Sequence, residues 1–358
     1  VVLMAITAVT YCTREDVKSA LDIKATARSN AQVDRAVISG AGAVEDQLKR
    51  RFYPQDAVRS FDWPNRFQRT SPWKLYFGKN DLVSATAVTA GGVAIPLASI
   101  NFEPVNSGPP FTRMELDISK APGAFAVGPT WQHDIAITGT WGYSAVTAPA
   151  GTLTAALSDT TGTTVAVSDS TQAGVGALLL CGTERMLVTD RAMITTGQAQ
   201  QGAGAGTAVN SDVSLTVTDG TKYAAGEVLL LDSERMLVVD IAGNVLTVKR
   251  AWDGSVLATH SAAVIFAPRS LTVIRGALGT TAATHLISSA VSRFTYPGLV
   301  TELNVAEAVN TLLQETSGYS RTVGEGDNLR LASGAGLKDI RARAMSAHGR
   351  AKVRQRTT

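Results

Sequence analysis

The chain has 358 residues, 45% apolar and 18% charged, with a formal net charge of +3. That length suits two to three domains with buried cores, and the composition excludes a wholly disordered chain. So small a net charge gives little support to bulk electrostatic capture of a partner.

Ala, Thr, Val and Gly predominate and aromatics make up 6%, a mixture that favours short strands joined by tight turns. Cys12 and Cys181 lie in unrelated segments and suggest neither a disulfide framework nor a zinc site. No apolar run approaches the ~18 residues of a membrane span. The apolar opening at 1–6 lacks a basic lead-in, so it reads as an ordinary N-terminus, not a signal peptide.

The first predicted element is a helix opening at Thr13, with Asp16 three residues on as a capping-box variant. A longer helix follows from Ser29 or Asn30, with Val33, Val37, Ala41, Val44 and Leu48 on one face and Pro54 beyond its end. Gly40 and Gly42, poor helix formers, are expected to admit a close neighbour or mark a kink. Strands are predicted at 74–77, 82–89, 93–95, 114–118 and 134–138, with Gly91-Gly92 as a hairpin turn. After Pro297-Gly298 the pattern is helical again. Asn304 and Glu307 form a cap-like pair, and Val305, Val309, Leu312 and Leu313 share a face. Gly318 is the expected stop, and Leu337, Ile340, Ala344 and Met345 mark a last short helix.

Between Leu153 and Ser292 the chain repeats itself. Leu179-Leu180-Cys181-Gly182-Thr183-Glu184-Arg185-Met186-Leu187-Val188 returns fifty residues later as Leu229-Leu230-Leu231-Asp232-Ser233-Glu234-Arg235-Met236-Leu237-Val238. A second similarity has an offset of 25: Leu246 to Arg250, Gly254 and Thr259-His260 return as Leu271 to Arg275, Gly279 and Thr284-His285. The two first halves therefore precede the two second halves. Nesting explains that order: one β-module sits in a loop of another, and the Gly-, Ala- and Gln-rich stretch from Thr195 to Thr207 is the insertion point.

The expected fold class is α+β, with N- and C-terminal helices packed together on a small antiparallel sheet and an inserted all-β region of two nested modules. The expected boundaries are 1–150 for the helices and first β-block, 151–207 and 269–293 for the outer module, 208–268 for the inner one, and 294–358 for the closing helices and basic tail. Val33, Val37, Val44 and Leu48 are expected to meet Val309 and Leu312.

Three pieces carry a resemblance to a known family. They are the Thr13 helix beginning Thr-Arg-Glu-Asp-Val, the helix ending Lys49-Arg50-Arg51-Phe52-Tyr53-Pro54, and the strand block closing on Gly139-Thr140-Trp141-Gly142-Tyr143. Together with the C-terminal helices, over 13–145 and 298–358, they resemble the head–tail connector (adaptor) proteins of tailed bacteriophages. The duplicated segment departs from that compact pattern. The resemblance implies a non-enzymatic structural virion protein, made in the host cytoplasm and located at the head–tail interface. It would form a homo-oligomeric ring, a dodecamer, docked on the portal protein, extending the DNA channel and meeting the next tail component, a stopper or tail terminator. DNA would pass without sequence-specific binding, and no membrane would be involved. The alternative is a carbohydrate- or surface-binding β-module protein of a virion or cell surface.

Candidate site residues concentrate in the basic tail: Lys338, Arg341, Arg343, Arg350, Lys352, Arg354 and Arg356. Three readings stay open for it, namely a solvated end, a segment that orders on an acidic protein surface such as the portal, and a DNA contact. His260 and His285 with Glu234 and Glu184 could be proposed as metal ligands, yet two ligands per module are too few. The expectation is structural hydrogen bonds, or Glu–Arg pairs within Glu184-Arg185 and Glu234-Arg235. Trp63, Trp73, Trp131 and Trp141 are expected as core or interface aromatics. No phosphate loop follows Gly202 to Gly206, and Gly-x-Ser-x-Gly and His-Glu-x-x-His are absent from the sequence. No catalytic residue, cofactor or metal is therefore assigned.

Overall fold

The computed structural model describes residues 6–21, 29–64, 71–120, 124–201, 212–316, 322–323, 330–331 and 335–350. The elements begin with α1 (Arg14–Ala20), α2 (Asn30–Leu48), β1 (Gln55–Phe61), β2 (Lys74–Tyr76), β3 (Leu82–Ala90) and β4 (Val93–Ile95). Then come β5 (Ile100–Glu103), β6 (Arg113–Leu116), β7 (Ile135–Trp141), β8 (Thr147–Thr152), β9 (Thr164–Ala166) and β10 (Leu178–Cys181). The repeated region continues with β11 (Glu184–Ala199), β12 (Ser214–Thr216), β13 (Val228–Leu231), β14 (Glu234–Ala242) and β15 (Val245–Lys249). The last elements are β16 (Val264–Ile274), β17 (Ala290–Phe294), α3 (Gly298–Thr316), β18 (Thr322–Val323), β19 (Arg330–Leu331) and α4 (Ala335–His348).

Two compact units result. The first comprises Val1–Val44, Thr147–Ala277 and Thr281–Arg343, and the second Glu45–Val146, Leu278–Thr280 and Ala344–Thr358.

The first unit is organised by a ten-stranded sheet of order β12-β15-β14-β13-β16-β11-β10-β17-β8, with β9 also paired to β16. The repeats are visible in the register. Leu215 faces Leu246 where β12 meets β15, and Val165 faces Leu271 where β9 meets β16. Leu231 faces Ile265, and Cys181 faces Val291. Strand β16 serves both repeats: its first half pairs with β13 and its second with β9, while β11 runs along both halves. Each repeat has its own core. Leu215, Leu229, Met236, Val238, Leu246 and Ile265 form one. Val165, Leu179, Met186, Val188, Leu271 and Val291 belong to the other, which also takes in Val33, Val37, Ala308 and Leu312 from α2 and α3.

Local rules account for the helices. Thr13 Oγ1 accepts from the Asp16 N–H and the Asp16 carboxylate accepts from the Thr13 N–H, a complete capping box. Helix α3 starts at Gly298, directly after Pro297, whose fixed φ suits the entry to a helix. Asn304 therefore lies inside the helix, not at its cap. It is fully buried, accepts the Tyr11 N–H at 2.9 Å and donates to the Val37 carbonyl at 3.2 Å. Gly40 makes room for it, since a Cβ there would stand 2.6 Å from Asn304 Nδ2. Leu313, expected on the buried face, is exposed.

The second unit holds a four-stranded sheet, β1-β7-β3-β4, and a three-stranded one, β2-β6-β5. The β3–β4 hairpin turns at Gly91 and Gly92, both at positive φ. Leu75, Phe77, Leu82, Met114, Ile135, Ile137 and Trp141 form its core, with Trp63 and Trp73 packed against it. Trp131, expected as a core or interface aromatic, is not part of that core and is about half exposed at 48%.

The α+β expectation is overturned, because strands take 37% of the chain and helices 23%. The reason lies in β16. Two modules with separate sheets would have left a small sheet and four helices as the framework. Continuous pairing of one eleven-residue strand with both repeats instead merges them into a single ten-stranded layer. The expected stop at Gly318 and most of the 195–207 junction lie outside the described residues.

Candidate functional site

Two equivalent polar clasps sit in the repeats. Glu184 opens β11 and Glu234 opens β14, each just after a residue at positive φ, Gly182 or Asp232. Both carboxylates are wholly buried. Arg275 binds Glu184 through Nε to Oε1 at 2.6 Å and Nη2 to Oε2 at 2.8 Å, and the N–H groups of Gly276 and Ala283 each add a bond at 3.0 Å. His285 Nε2 lies 2.9 Å from Oε2. In the other repeat Arg250 binds Glu234 at 2.9 and 2.7 Å, with the N–H groups of Ala251 and Ala258 and His260 Nε2 in the same places.

The donors decide the charge state. Burial raises the pKa of each carboxylate, but the guanidinium, two backbone N–H groups and the imidazole outweigh it, bringing both down to about 2. Each clasp is a closed structural bond with its lone pairs occupied. The arginines that hold Glu184 and Glu234 are not the adjacent Arg185 and Arg235 expected from the sequence. Arg185 instead lies over the Phe294 ring at 5.9 Å, and Arg235 bonds Asp253 at 3.1 Å. The signal for Arg250 and Arg275 was present, since both occupy equivalent places in the offset of 25. No group of three or more His, Cys, Asp or Glu able to hold a metal occurs among the described residues.

A cleft of about 400 Å³ in the first unit is lined by Arg14, Glu15, Lys18, Arg191, Glu227 and Asp253 among others. Its charges answer one another. Arg14 pairs with Asp34 at 2.7 Å, Arg191 with Glu15 at 2.8 Å and Lys18 with Asp253 at 2.9 Å. Glu227 accepts from Arg269 and from Ser170 Oγ. These pairs tie α1 and α2 to the sheet.

A second cleft, of about 450 Å³, lies in the second unit, lined by Lys49, Arg50, Arg51, Arg59 and Lys79 with the acids Glu45, Asp46 and Asp81. Arg59 lies over the Trp141 ring at 4.9 Å and donates to Asn80 Oδ1, while Arg50 lies over Tyr143 at 5.3 Å. Asp81, almost fully buried, accepts from Arg350 and stands 3.6 Å from Arg50 Nε. Burial raises the Asp81 pKa against the pull of Arg50 and Arg350.

The tail residues separate. Lys338, Arg341 and Arg343 are exposed on α4, where Arg341 binds Glu307 at 2.6 and 2.7 Å and Arg343 stands 3.6 Å from Asp339. Arg350 is committed to Asp81, and its N–H bonds the Leu48 carbonyl. Lys352, Arg354 and Arg356 lie outside the described residues.

Compared with protein-family models, curated proteins and solved structures, the chain matches none. Among the described residues no helix is long and apolar enough to cross a membrane.

Proposed function

We propose that the protein is a structural virion component, the head-to-tail adaptor of a tailed phage. It associates with copies of itself into a ring beneath the portal and offers its other face to the next tail component. The observation that carries the reading is the buried grip of Asn304 on Tyr11 and Val37. It fastens segments from the two ends of the chain to each other, within the unit that also holds the repeats. The resemblance of 13–145 and 298–358 needs those two ends to touch, and this contact supports it. A ring is one heterologous contact repeated until it closes, so it needs a subunit of fixed shape. The buried Glu–Arg clasps and the ion pairs around Arg14, Lys18 and Arg191 supply that rigidity. In this reading Lys338, exposed on α4, and the cations beyond Arg350 carry the docking role of the tail, while Arg341 and Arg350 hold the subunit together.

The test mixes the purified full chain with a portal ring and images the mixture by electron microscopy. Discrete stacked rings are expected. A chain that stays monomeric at high concentration and leaves the portal bare would overturn the proposal.

A further inference from the structure

We propose that the basic cleft of the second unit is a binding site for a carboxylate-bearing, acidic segment of a partner protein. This inference stands apart from the adaptor reading. Five cations line the cleft against three acids, and the acids do not neutralise it evenly. Glu45 and Asp46 face Arg51 at 3.4 Å and Lys49 at 4.0 Å, pairs so exposed that water screens most of their attraction. Asp81 is a single carboxylate shared between Arg350 and Arg50. Arg59 and Lys79 face no carboxylate at ion-pair distance among the described residues.

Two guanidinium groups are prepared for an oxyanion. The Arg59 guanidinium lies over the Trp141 ring and that of Arg50 over the Tyr143 ring, which restrains both. Arg59 spends one N–H on Asn80 Oδ1, while the rest of its fork faces no carboxylate at ion-pair distance among the described residues. The Arg50 Nε–H is buried and finds no hydrogen-bond partner among the described residues; Asp81 Oδ2, at 3.6 Å, is beyond reach. Burial, and then the neighbouring charge of Arg51, lower the Arg59 pKa.

The same geometry disfavours nucleic acid. Trp141 is buried and covered by Arg59, so it gives bases no stacking surface. A phosphodiester backbone would also carry its evenly spaced charges past Glu45 and Asp46. A peptide places one carboxylate at Arg59 and passes the acids with neutral residues.

The test titrates the full-length protein into a fluorescein-labelled peptide with two glutamates set among neutral residues, at low salt, and follows anisotropy, with duplex DNA and inorganic phosphate as competitors. Saturable peptide binding is expected, weakened about tenfold by Arg59→Gln and severalfold by Lys79→Gln. Lys79 is exposed, so K79Q keeps the fold, and its unchanged melting temperature is the control. The proposal fails if the wild type shows no saturable binding, if both variants bind like the wild type, or if DNA or phosphate displaces the peptide at lower concentration than the same unlabelled peptide does. Peptide binding by a chain that forms no rings would remove the adaptor reading and leave this one standing.

Discussion

Arg275 grips Glu184 through two parallel bonds, Nε to Oε1 at 2.6 Å and Nη2 to Oε2 at 2.8 Å, with both side chains nearly closed off from water. Arg250 grips Glu234 in the same way, although the partners lie 91 residues apart in the first pair and 16 in the second. A buried pair depends on both members, because either one alone is a desolvated charge. Glu184→Gln and Glu234→Gln should each lower unfolding stability by about 3 kcal/mol. The double variant Glu184→Leu/Arg275→Met should cost less than Glu184→Gln alone. Urea unfolding of the full chain, followed by circular dichroism, reads all three. A single variant within about 0.5 kcal/mol of wild type would show that the clasp contributes little.

The same carboxylates set an acid limit. Their folded pKa, about 2, lies below the 4.5 of a free carboxylate. A depressed carboxylate contributes stability that is complete above the unfolded value and is lost as the pH falls toward the folded one. Melting temperature should therefore decline between about pH 4.5 and pH 2. The decline should be shallower in the Glu184→Leu/Arg275→Met variant, where one linked carboxylate is gone. Parallel pH profiles for the two proteins would contradict the linkage.

Two glycines of α2 should respond in opposite directions. At Gly42 an added Cβ meets nothing within 4 Å, so Gly42→Ala should stabilise by about 1 kcal/mol through helix propensity. At Gly40 it would meet Asn304 Nδ2 at 2.6 Å and the Asn304 carbonyl oxygen at 3.1 Å. Asn304 cannot turn aside without giving up Tyr11 and Val37. Overpacking should outweigh the propensity gain, and Gly40→Ala should destabilise by about 1–2 kcal/mol. Thermal melts of the two variants decide it; a stabilising Gly40→Ala would mean that α3 yields.

Both thiols should be slow to react. Burial pushes Cys12 well above its usual range, with Asp16 adding to the effect, and burial and then Glu184 raise Cys181. The thiolate is the reactive form. Ellman's reagent at pH 8 should label neither cysteine on the timescale of a free thiol, and both in urea. A fast native phase would show that one of these sites opens.

Much of this was legible along the chain. The capping box at Thr13 and Asp16 was readable because a cap is a contact between residues three apart. The apolar stripe Val33, Val37, Val44 and Leu48 was readable because a helix repeats every 3.6 residues. The duplication was readable too, and its two offsets placed Glu184 with Glu234, Arg250 with Arg275 and His260 with His285 as equivalents. Hydrophobic periodicity and repetition are local or self-referring properties, so one sequence suffices to expose them.

The meeting of Val33 and Val37 with Val309 and Leu312 was foreseen, but the distant partners of the polar side chains and strand edges escaped. Nothing adjacent to Glu184 says that its arginine is 91 residues away, because that pairing follows from β16 lying against β11. Nor does the pattern at Asn304 tell a cap from an interior clamp, since the side chain is suited to both and the start of α3 at Gly298 chooses between them. The fold class was misjudged for the same reason. Whether two β-modules keep separate sheets or share a strand depends on hydrogen bonds between edges, and those form only once the edges meet in space.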